Sequence, residues 1–311
     1  MKIGIVGYGN LGAAAERQAE KYGFEIYGVF SRRKKEELHG VASPVYPFSE
    51  IFNHRDKVDL LINAGGSKSD LCETTPRLLK AFNVVDSYDI HGELAGHIAV
   101  CERAALESGK IARVGGGWDP GFFSVLRIYA AAFLSAEPVS FWGEGVSQGH
   151  SQAIRTLRGV KHAIEYTVLQ AEAVKLAELG EDAGNQYFRT KRICYVVAEL
   201  DERERIEAEI RGMKDYFLGY ETEIHFISES EFLKNHTRLY HKGRVLGVSR
   251  ELGARLDFSL SFSSNPDFTA SVLLALARAL LRMKNAGFRG AYTMADIPPT
   301  LFAHDGFMQY M

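Results

Sequence analysis

Long apolar runs are missing from this sequence. Nothing in it approaches the roughly 18 consecutive apolar residues of a membrane-spanning helix. Charge of one sign is missing too: the 311 residues carry a net charge of −2. That near-balance excludes the basic footprint of a nucleic-acid-binding protein. Cysteine is scarce. Cys72, Cys101 and Cys194 are odd in number, far apart and in no metal-ligand spacing. They read as reduced, mostly buried thiols of a cytoplasmic protein, and no metal site is expected. The first residues lack the basic segment, apolar run and small-residue cleavage site of a secretory signal, so secretion is not expected. No Pro/Gly/Ser-rich linker, repeat or low-complexity stretch divides the chain, although its length suits about two domains.

What is present begins at once. Lys2 to Val6 is a short β-branched apolar run, suited to a strand buried on both faces. Gly7-Tyr8-Gly9-Asn10-Leu11-Gly12 follows, and then a stretch rich in helix formers. A G-x-G-x-x-G pattern between strand and helix is a dinucleotide-binding signature. Gly7 permits the tight turn, Gly9 lets backbone approach a pyrophosphate, and Gly12 lets the helix pack on the strand. The helix N-terminus then directs its unpaired N–H groups at phosphate. The next strand ends Phe30-Ser31-Arg32-Arg33. An NAD-preferring fold commonly carries an acid here for the ribose 2′-hydroxyl. Two guanidinium groups and a hydroxyl suit a 2′-phosphate instead, so NADP is the expected cofactor. The arginines also fit the start of an exposed basic run, but that leaves the missing acid unexplained.

Further strands end at Ala64-Gly65-Gly66-Ser67, at Asp86-Ser87-Tyr88-Asp89 and at Gly115-Gly116-Gly117-Trp118-Asp119. With helical stretches between them, they give the rhythm of a Rossmann-type doubly wound parallel sheet, and their loops share its ligand-binding edge. After Pro120-Gly121 the rhythm stops. Strand-like runs at 139–146, 193–199, 223–227, 244–248 and 255–262 point to a second α/β domain on one mixed open sheet. The helix expected at 266–284 is apolar nearly all round, which suits a core or a subunit interface. Domain boundaries are expected near 118 and 287: a dinucleotide-binding domain over 1–118, completed by 288–311, and a substrate and dimerisation domain over 119–287.

The motifs Gly-Tyr-Gly-Asn-Leu-Gly at 7–12, Phe-Ser-Arg-Arg at 30–33 and Asp-Ser-Tyr-Asp at 86–89 resemble meso-diaminopimelate dehydrogenases. So do Gly-Trp-Asp-Pro-Gly at 117–121, Phe-Trp-Gly-x-Gly-Val-Ser-Gln-Gly-His at 141–150 and Ser-Asn-Pro-x-Phe-Thr at 264–269, in the family's order and across nearly the whole chain. The family often has Ser-Thr and Met where this chain has Gly115-Gly116 and Phe122. The resemblance implies a homodimer that oxidatively deaminates the D-amino centre of meso-2,6-diaminopimelate with NADP, releasing ammonia. It implies Gly7, Tyr8, Gly9, Asn10, Leu11, Gly12, Ser31, Arg32, Arg33, Ala64, Gly66, Ser67, Ser87 and Tyr88 around the cofactor. Asp89 and Asp119 would face the reacting amino group, although a helix cap and a turn account for the same residues.

The resemblance further implies that Trp118 and Trp142 wall the substrate pocket, although core packing also explains a tryptophan. Arg192 would take the distal carboxylate, with Thr167 and His241 as its partners. By residue type alone, Arg192 reads with Arg189 and Lys191 as a solvated face, and a lone His241 reads as a core or surface residue. Gln148, Gly149 and Asn265 complete the expected contacts, with Asn265 also suited to cap the last helix. A broader D-amino acid dehydrogenase, a dihydrodipicolinate-type or imine reductase and a non-catalytic NADP sensor are the competing readings.

Overall fold

The computed structural model describes residues 1–214 and 216–303, the side chains of 68 and 69 aside. The chain opens with β1 (Lys2–Val6), α1 (Asn10–Gln18), β2 (Glu25–Ser31), β3 (Val45–Pro47) and β4 (Leu60–Asn63). It continues through α2 (Cys72–Leu79), β5 (Val84–Asp86), α3 (Leu94–Ser108) and β6 (Ile111–Arg113). Ile3 to Val6 and all of β4 are buried without alternation, as expected of strands covered on both faces.

The middle of the chain contributes α4 (Phe123–Leu134), β7 (Val139–Trp142), β8 (Gly145–Val146), α5 (Gln148–Arg155), β9 (Val160–Leu169), α6 (Ala171–Glu178) and α7 (Gln186–Arg189). Then come β10 (Thr190–Ala198), α8 (Arg203–Gly212), β11 (Thr222–Phe226), α9 (Glu229–Asn235), β12 (His241–Ser249) and β13 (Ala254–Phe262). The chain returns through α10 (Asn265–Asn285) to β14 (Gly290–Tyr292). Among the described residues, the first unit holds 1–125 and 266–303, and the second holds 126–265.

In the first unit the strands lie in the order β14-β6-β5-β4-β1-β2-β3, every pairing parallel. This is the expected doubly wound sheet, and its strand order reverses between β1 and β4, where such folds bind ligands. Helix α10 is buried in a core, one of the two places its apolar surface suits, but it was expected in the second unit. It belongs to the first, and its Leu273, Leu276, Ala277 and Leu280 pack with Ile3, Leu60, Ile62, Val85 and Ile111 in one apolar cluster. The boundaries therefore fall at 125 and 265 instead of 118 and 287. An all-round apolar helix suits a sheet-facing core as well as an interface, and each fully buried leucine contributes about 1.5–3 kcal/mol. The returning segment does complete the first unit: β14 pairs with β6, and Arg282 holds the carbonyls of Leu301 and Ala303 at 3.0 and 2.8 Å. The expected continuation of that segment over 304–311 lies outside the described residues.

The second unit carries two sheets where one was expected. The mixed sheet β11-β10-β9-β8 is parallel only between β10 and β11, and β13-β12-β7 is antiparallel throughout. The reason lies in the run 139–146, expected as one strand. Gly143 and Gly145 have φ of 145° and 150°, and they split the run so that β7 pairs with β12 while β8 pairs with β9. Strand β9 was not expected at all. Its inward face carries the charged Glu165 between Ala163 and Thr167, which hides the apolar alternation that marks a strand.

Candidate active site

The glycine turn joins β1 to α1 as the sequence suggests, with Gly9 at the helix N-cap. A Cβ on Gly12 would lie 2.2 Å from the Gly7 carbonyl oxygen, so no side chain fits there without opening the turn. Beside the turn lies a cleft of about 350 Å³, lined among others by Gly7, Tyr8, Gly9, Ser31, Arg32, Arg33, Ala64 and Gly66. The Ser31 hydroxyl accepts the Arg33 N–H at 2.9 Å, the Arg33 guanidinium reaches the Tyr8 carbonyl at 2.5 Å, and Arg32 pairs with Asp70 across the cleft. No acid ends β2.

Other expected cofactor residues hold the loops around this cleft. Leu11 packs against the apolar clusters, and Asn10 begins α1. Ser67 accepts the Asp89 N–H at 3.1 Å, and Ser87 lies 3.5 Å from the Asn63 carbonyl. Tyr88 is buried with its ring stacked on His97, centroids 4.1 Å apart, while its hydroxyl donates to Glu93 at 3.0 Å.

Asp86, fully buried at the end of β5, organises the loops that carry the two candidate catalytic acids. One carboxylate oxygen accepts the N–H groups of Tyr88 at 3.3 Å and Gly115 at 3.0 Å. The other accepts the Thr75 hydroxyl at 3.0 Å and lies 2.7 Å from His97 Nε2. The loop after β5 is thereby tied to the turn after β6. Asp89 is exposed on the first; Asp119 is half-buried on the second, after a buried Trp118 whose ring meets Phe123 edge-on at 5.1 Å.

Cys101 also lies beside His97, so Asp86, His97 and Cys101 place metal-ligand atoms within 4.8 Å of one another. Burial pushes that thiol far up, away from the thiolate a metal needs, and both carboxylate oxygens already accept hydrogen bonds.

Arg113 lies beneath the same turn, fully buried, and its guanidinium nitrogens have no hydrogen-bond partner among the described residues. Burial pulls it down to about 10, and the Asp86 charge resists that pull. Gly116 makes room for it: a Cβ there would meet Arg113 Nη1 at 2.3 Å and the Asp86 carbonyl oxygen at 2.1 Å. Gly116→Ala should therefore cost about 2–4 kcal/mol, because the carbonyl cannot step aside. Thermal unfolding checks this, and an unchanged Tm would show that the turn is slack.

The second unit gathers residues far apart in sequence. Thr167 and Arg192 are cross-strand partners on β9 and β10, and the guanidinium donates to the Thr167 hydroxyl. Arg192 Nη1 also lies 3.5 Å from Glu165, and the guanidinium stacks over the Tyr220 ring at 4.2 Å from its centroid. Arg192 is only 7% exposed, not on a solvated face; Lys191 turns the other way and pairs with Glu223 at 2.9 Å. Gly145 pairs with Thr167, and the position of a Gly145 Cβ is 2.6 Å from His241 Nδ1. So Thr167, Arg192 and His241 do come together. Burial, opposed by a hydrogen bond to the Gly145 backbone and helped by the Arg192 charge, lowers His241 to about 4.

Trp142 is on β7 opposite Gly243, two residues from His241. Gln148 and Gly149 open α5, where a Gly149 Cβ would meet nothing within 4 Å. Asn265 begins α10, and its N–H donates to the Leu239 carbonyl at 3.2 Å.

A family model described as the diaminopimelic acid dehydrogenase C-terminal domain matches residues 117–264. The chain is 40% identical to the meso-diaminopimelate D-dehydrogenase of Corynebacterium glutamicum over 308 residues, covering 97% of this chain and 95% of that one. This chain belongs to the diaminopimelate dehydrogenase family. A further relative, the meso-diaminopimelate D-dehydrogenase of Lysinibacillus sphaericus, is 41% identical over 311 residues, covering 96% and 94% of the two chains. Among solved structures, C. glutamicum DAP dehydrogenase in complex with DAP matches with a TM-score of 0.93 at 39% identity, covering 99% of this chain and 97% of that one. An engineered D-amino acid dehydrogenase bound to NADP+ matches with a TM-score of 0.89 at 37% identity, covering 99% and 98%.

Within this family member, sequence reasoning missed Glu165, Asp86 and Arg113. Glu165 sits on the strand that was not expected, and only the position of Thr167 two residues on could have drawn attention to it. Asp86 and Arg113 close apolar strand runs, and a single charge there reads as the strand's exposed end. His150, just inside α5, was also passed over. Burial and the Arg192 charge lower it to about 3, while its Nδ1 lies 2.6 Å from the Ser147 hydroxyl.

Proposed function

We propose that this family member oxidatively deaminates the D-amino centre of meso-2,6-diaminopimelate with NADP, yielding L-2-amino-6-oxopimelate, ammonia and NADPH. The 6-oxo product cyclises to tetrahydrodipicolinate, and the reverse reaction supplies diaminopimelate for lysine and peptidoglycan. The buried Arg192 carries this reading. A guanidinium held by Thr167 and Tyr220, with its Nε unpartnered among the described residues, is a receptor for a carboxylate remote from the reacting carbon. A simple D-amino acid has no group for it.

The cleft fits NADP: a glycine turn at a helix N-terminus suits the pyrophosphate, and Ser31, Arg32 and Arg33 suit the 2′-phosphate. Bound there, the cofactor supplies the acceptor for the hydride from the substrate carbon. The chain's own groups orient the substrate. Asp89 and Asp119 receive the reacting amino group and accept its proton, and Asp86 fixes the two loops they stand on. Trp118 on the first unit and Trp142 on the second are each assigned to substrate contact, with Gln148, Gly149 and Asn265 as polar contacts. His241, neutral at cellular pH, meets the distal end as a hydrogen-bonding group without charge.

A homodimer is supported by apolar surface on the second unit. Ile128 and Phe133 on α4 are 50% and 70% exposed, and Leu256, Phe258 and Leu260 share one partly covered face of β13. Burying such surface in a partner is the usual resolution. No helix of the described residues is long and apolar enough to cross a membrane, and the unpaired cysteines suit a cytoplasmic enzyme.

Two assays test the reading. Incubation with meso-diaminopimelate and NADP should release ammonia and NADPH in equal amounts; NADPH binding with no ammonia would defeat it. For the cofactor, kcat/KM with NADP should exceed that with NAD by about 100-fold, the worth of two charge-assisted contacts. Equal values would refute the role of Arg32 and Arg33.

A further inference from the structure

We propose that Glu165 is a built-in counter-ion of the Arg192 subsite, competing with the substrate's distal carboxylate for the guanidinium and so setting how strongly this protein holds a two-ended substrate. The inference rests on Arg192 being the receptor for that carboxylate. Glu165 is fully buried. It faces Arg192 Nη1 at 3.5 Å and accepts the Thr167 hydroxyl at 3.2 Å, while its own N–H is held by Ser151 at 2.9 Å. One guanidinium thus serves an internal carboxylate and, in the complex, an external one.

The charges around it decide the outcome. From β10 the facing groups are Arg192 and the Cys194 thiol, which burial pushes well up and so keeps neutral. From α5 they are His150, held neutral by burial and the Arg192 charge, and Arg155, whose guanidinium turns to the Ala163 carbonyl at 2.9 Å and to Gln152. From β12 the facing group is His241, neutral by burial. The balance at the guanidinium therefore hangs on Glu165. Burial pushes Glu165 up to about 7, against the opposing pull of Arg192, Thr167 and the Ser147 backbone. Below that pH the pocket presents a net cation, which a carboxylate neutralises. Above it the pocket is neutral, and an entering carboxylate leaves an uncompensated buried anion unless Glu165 takes up a proton. Binding of the distal carboxylate is thus coupled to proton uptake at Glu165, and affinity falls as pH rises through about 7.

The experiment compares KM for meso-diaminopimelate between the wild type and Glu165→Gln from about pH 6 to about pH 9. The amide keeps the size and the Thr167 contact but not the charge. The ratio of wild-type to variant KM should be near one at the acid end and climb about tenfold or more at the alkaline end, with kcat little changed. A ratio flat with pH, or a variant that binds more weakly throughout, overturns the proposal. Should the variant not fold, the wild type alone decides. The ratio of its KM for meso-diaminopimelate to its Ki for D-norleucine, which lacks a distal carboxylate, should climb by a similar factor, and a flat ratio overturns the proposal. No turnover of meso-diaminopimelate at any pH would remove the functional reading and this inference together; turnover with flat ratios would remove only the inference.

Discussion

Replacing Arg192 by alanine raises the KM for meso-diaminopimelate by about 100-fold or more while leaving the Kd for NADPH unchanged. Truncating one partner of a buried, hydrogen-bonded charge pair costs about 2–5 kcal/mol, and each 1.4 kcal/mol is about tenfold in affinity. The side chain is held on β10 by Thr167, Glu165 and the Tyr220 ring, so none of its geometry has to be created when substrate arrives. The cofactor cleft lies wholly on the first unit, which is why NADPH binding is spared.

The fold survives the change through Glu165. Burial already pushes that carboxyl up to about 7, and Arg192 is the largest opposing influence. Without the guanidinium the carboxyl rises further and stays protonated at neutral pH. Its raised pKa then makes the variant lose stability as pH climbs from the unfolded carboxyl's range towards that raised value, since folding must take up a proton there. Michaelis constants and fluorescence titration with NADPH measure the two main effects. An unchanged KM would remove Arg192 from the substrate site, and a parallel loss of NADPH binding would mean that the substitution had damaged more than one subsite.

Asp119→Asn lowers kcat for meso-diaminopimelate by about 100- to 10,000-fold, the usual range for removing a positioned acid or base. Asp119 is half-buried, follows Trp118, and stands on the turn that the Gly115 N–H anchors to Asp86. Asparagine keeps the size of the side chain and can still accept a hydrogen bond, but it cannot take the proton of the amino group. The change conserves volume and leaves the Asp86 anchor of the turn in place, so Tm should move little. Single-turnover rates of NADPH formation isolate the effect. A kcat within about threefold of the wild type would assign the residue to the turn alone, as its Asp-Pro-Gly context allows.

The first unit was legible because its signals are local. The β1 run, the glycine turn and the acid-free end of β2 each carry their meaning within about a dozen residues, and a parallel sheet needs little more. The second unit was less so. Its expected strands were found, yet the division of 139–146 between two sheets depends on backbone turns at Gly143 and Gly145 that residue type does not announce. Strand β9 was hidden by Glu165, the charge that gives it interest.

Helix α10 shows the limit of composition. Its apolar surface was plain, but whether sheet or subunit would cover it depended on where the chain returns. For the site, the grouping of Thr167, Arg192 and His241 came from family resemblance, while Asp86 and Glu165 became visible only through their partners and Arg113 only through its burial. A buried charge is read from what surrounds it, and the surroundings here are assembled from several strands.

The central claim is that hydride leaves the D-carbon of meso-diaminopimelate for NADP, and isotope transfer tests it most directly. Meso-diaminopimelate deuterated only at the D-carbon, and separately only at the L-carbon, is turned over with NADP, and the NADPH formed is weighed by mass spectrometry. The account predicts deuterium in NADPH from the D-labelled substrate and none from the L-labelled one. Label arriving from the L-carbon, or from neither, would contradict it.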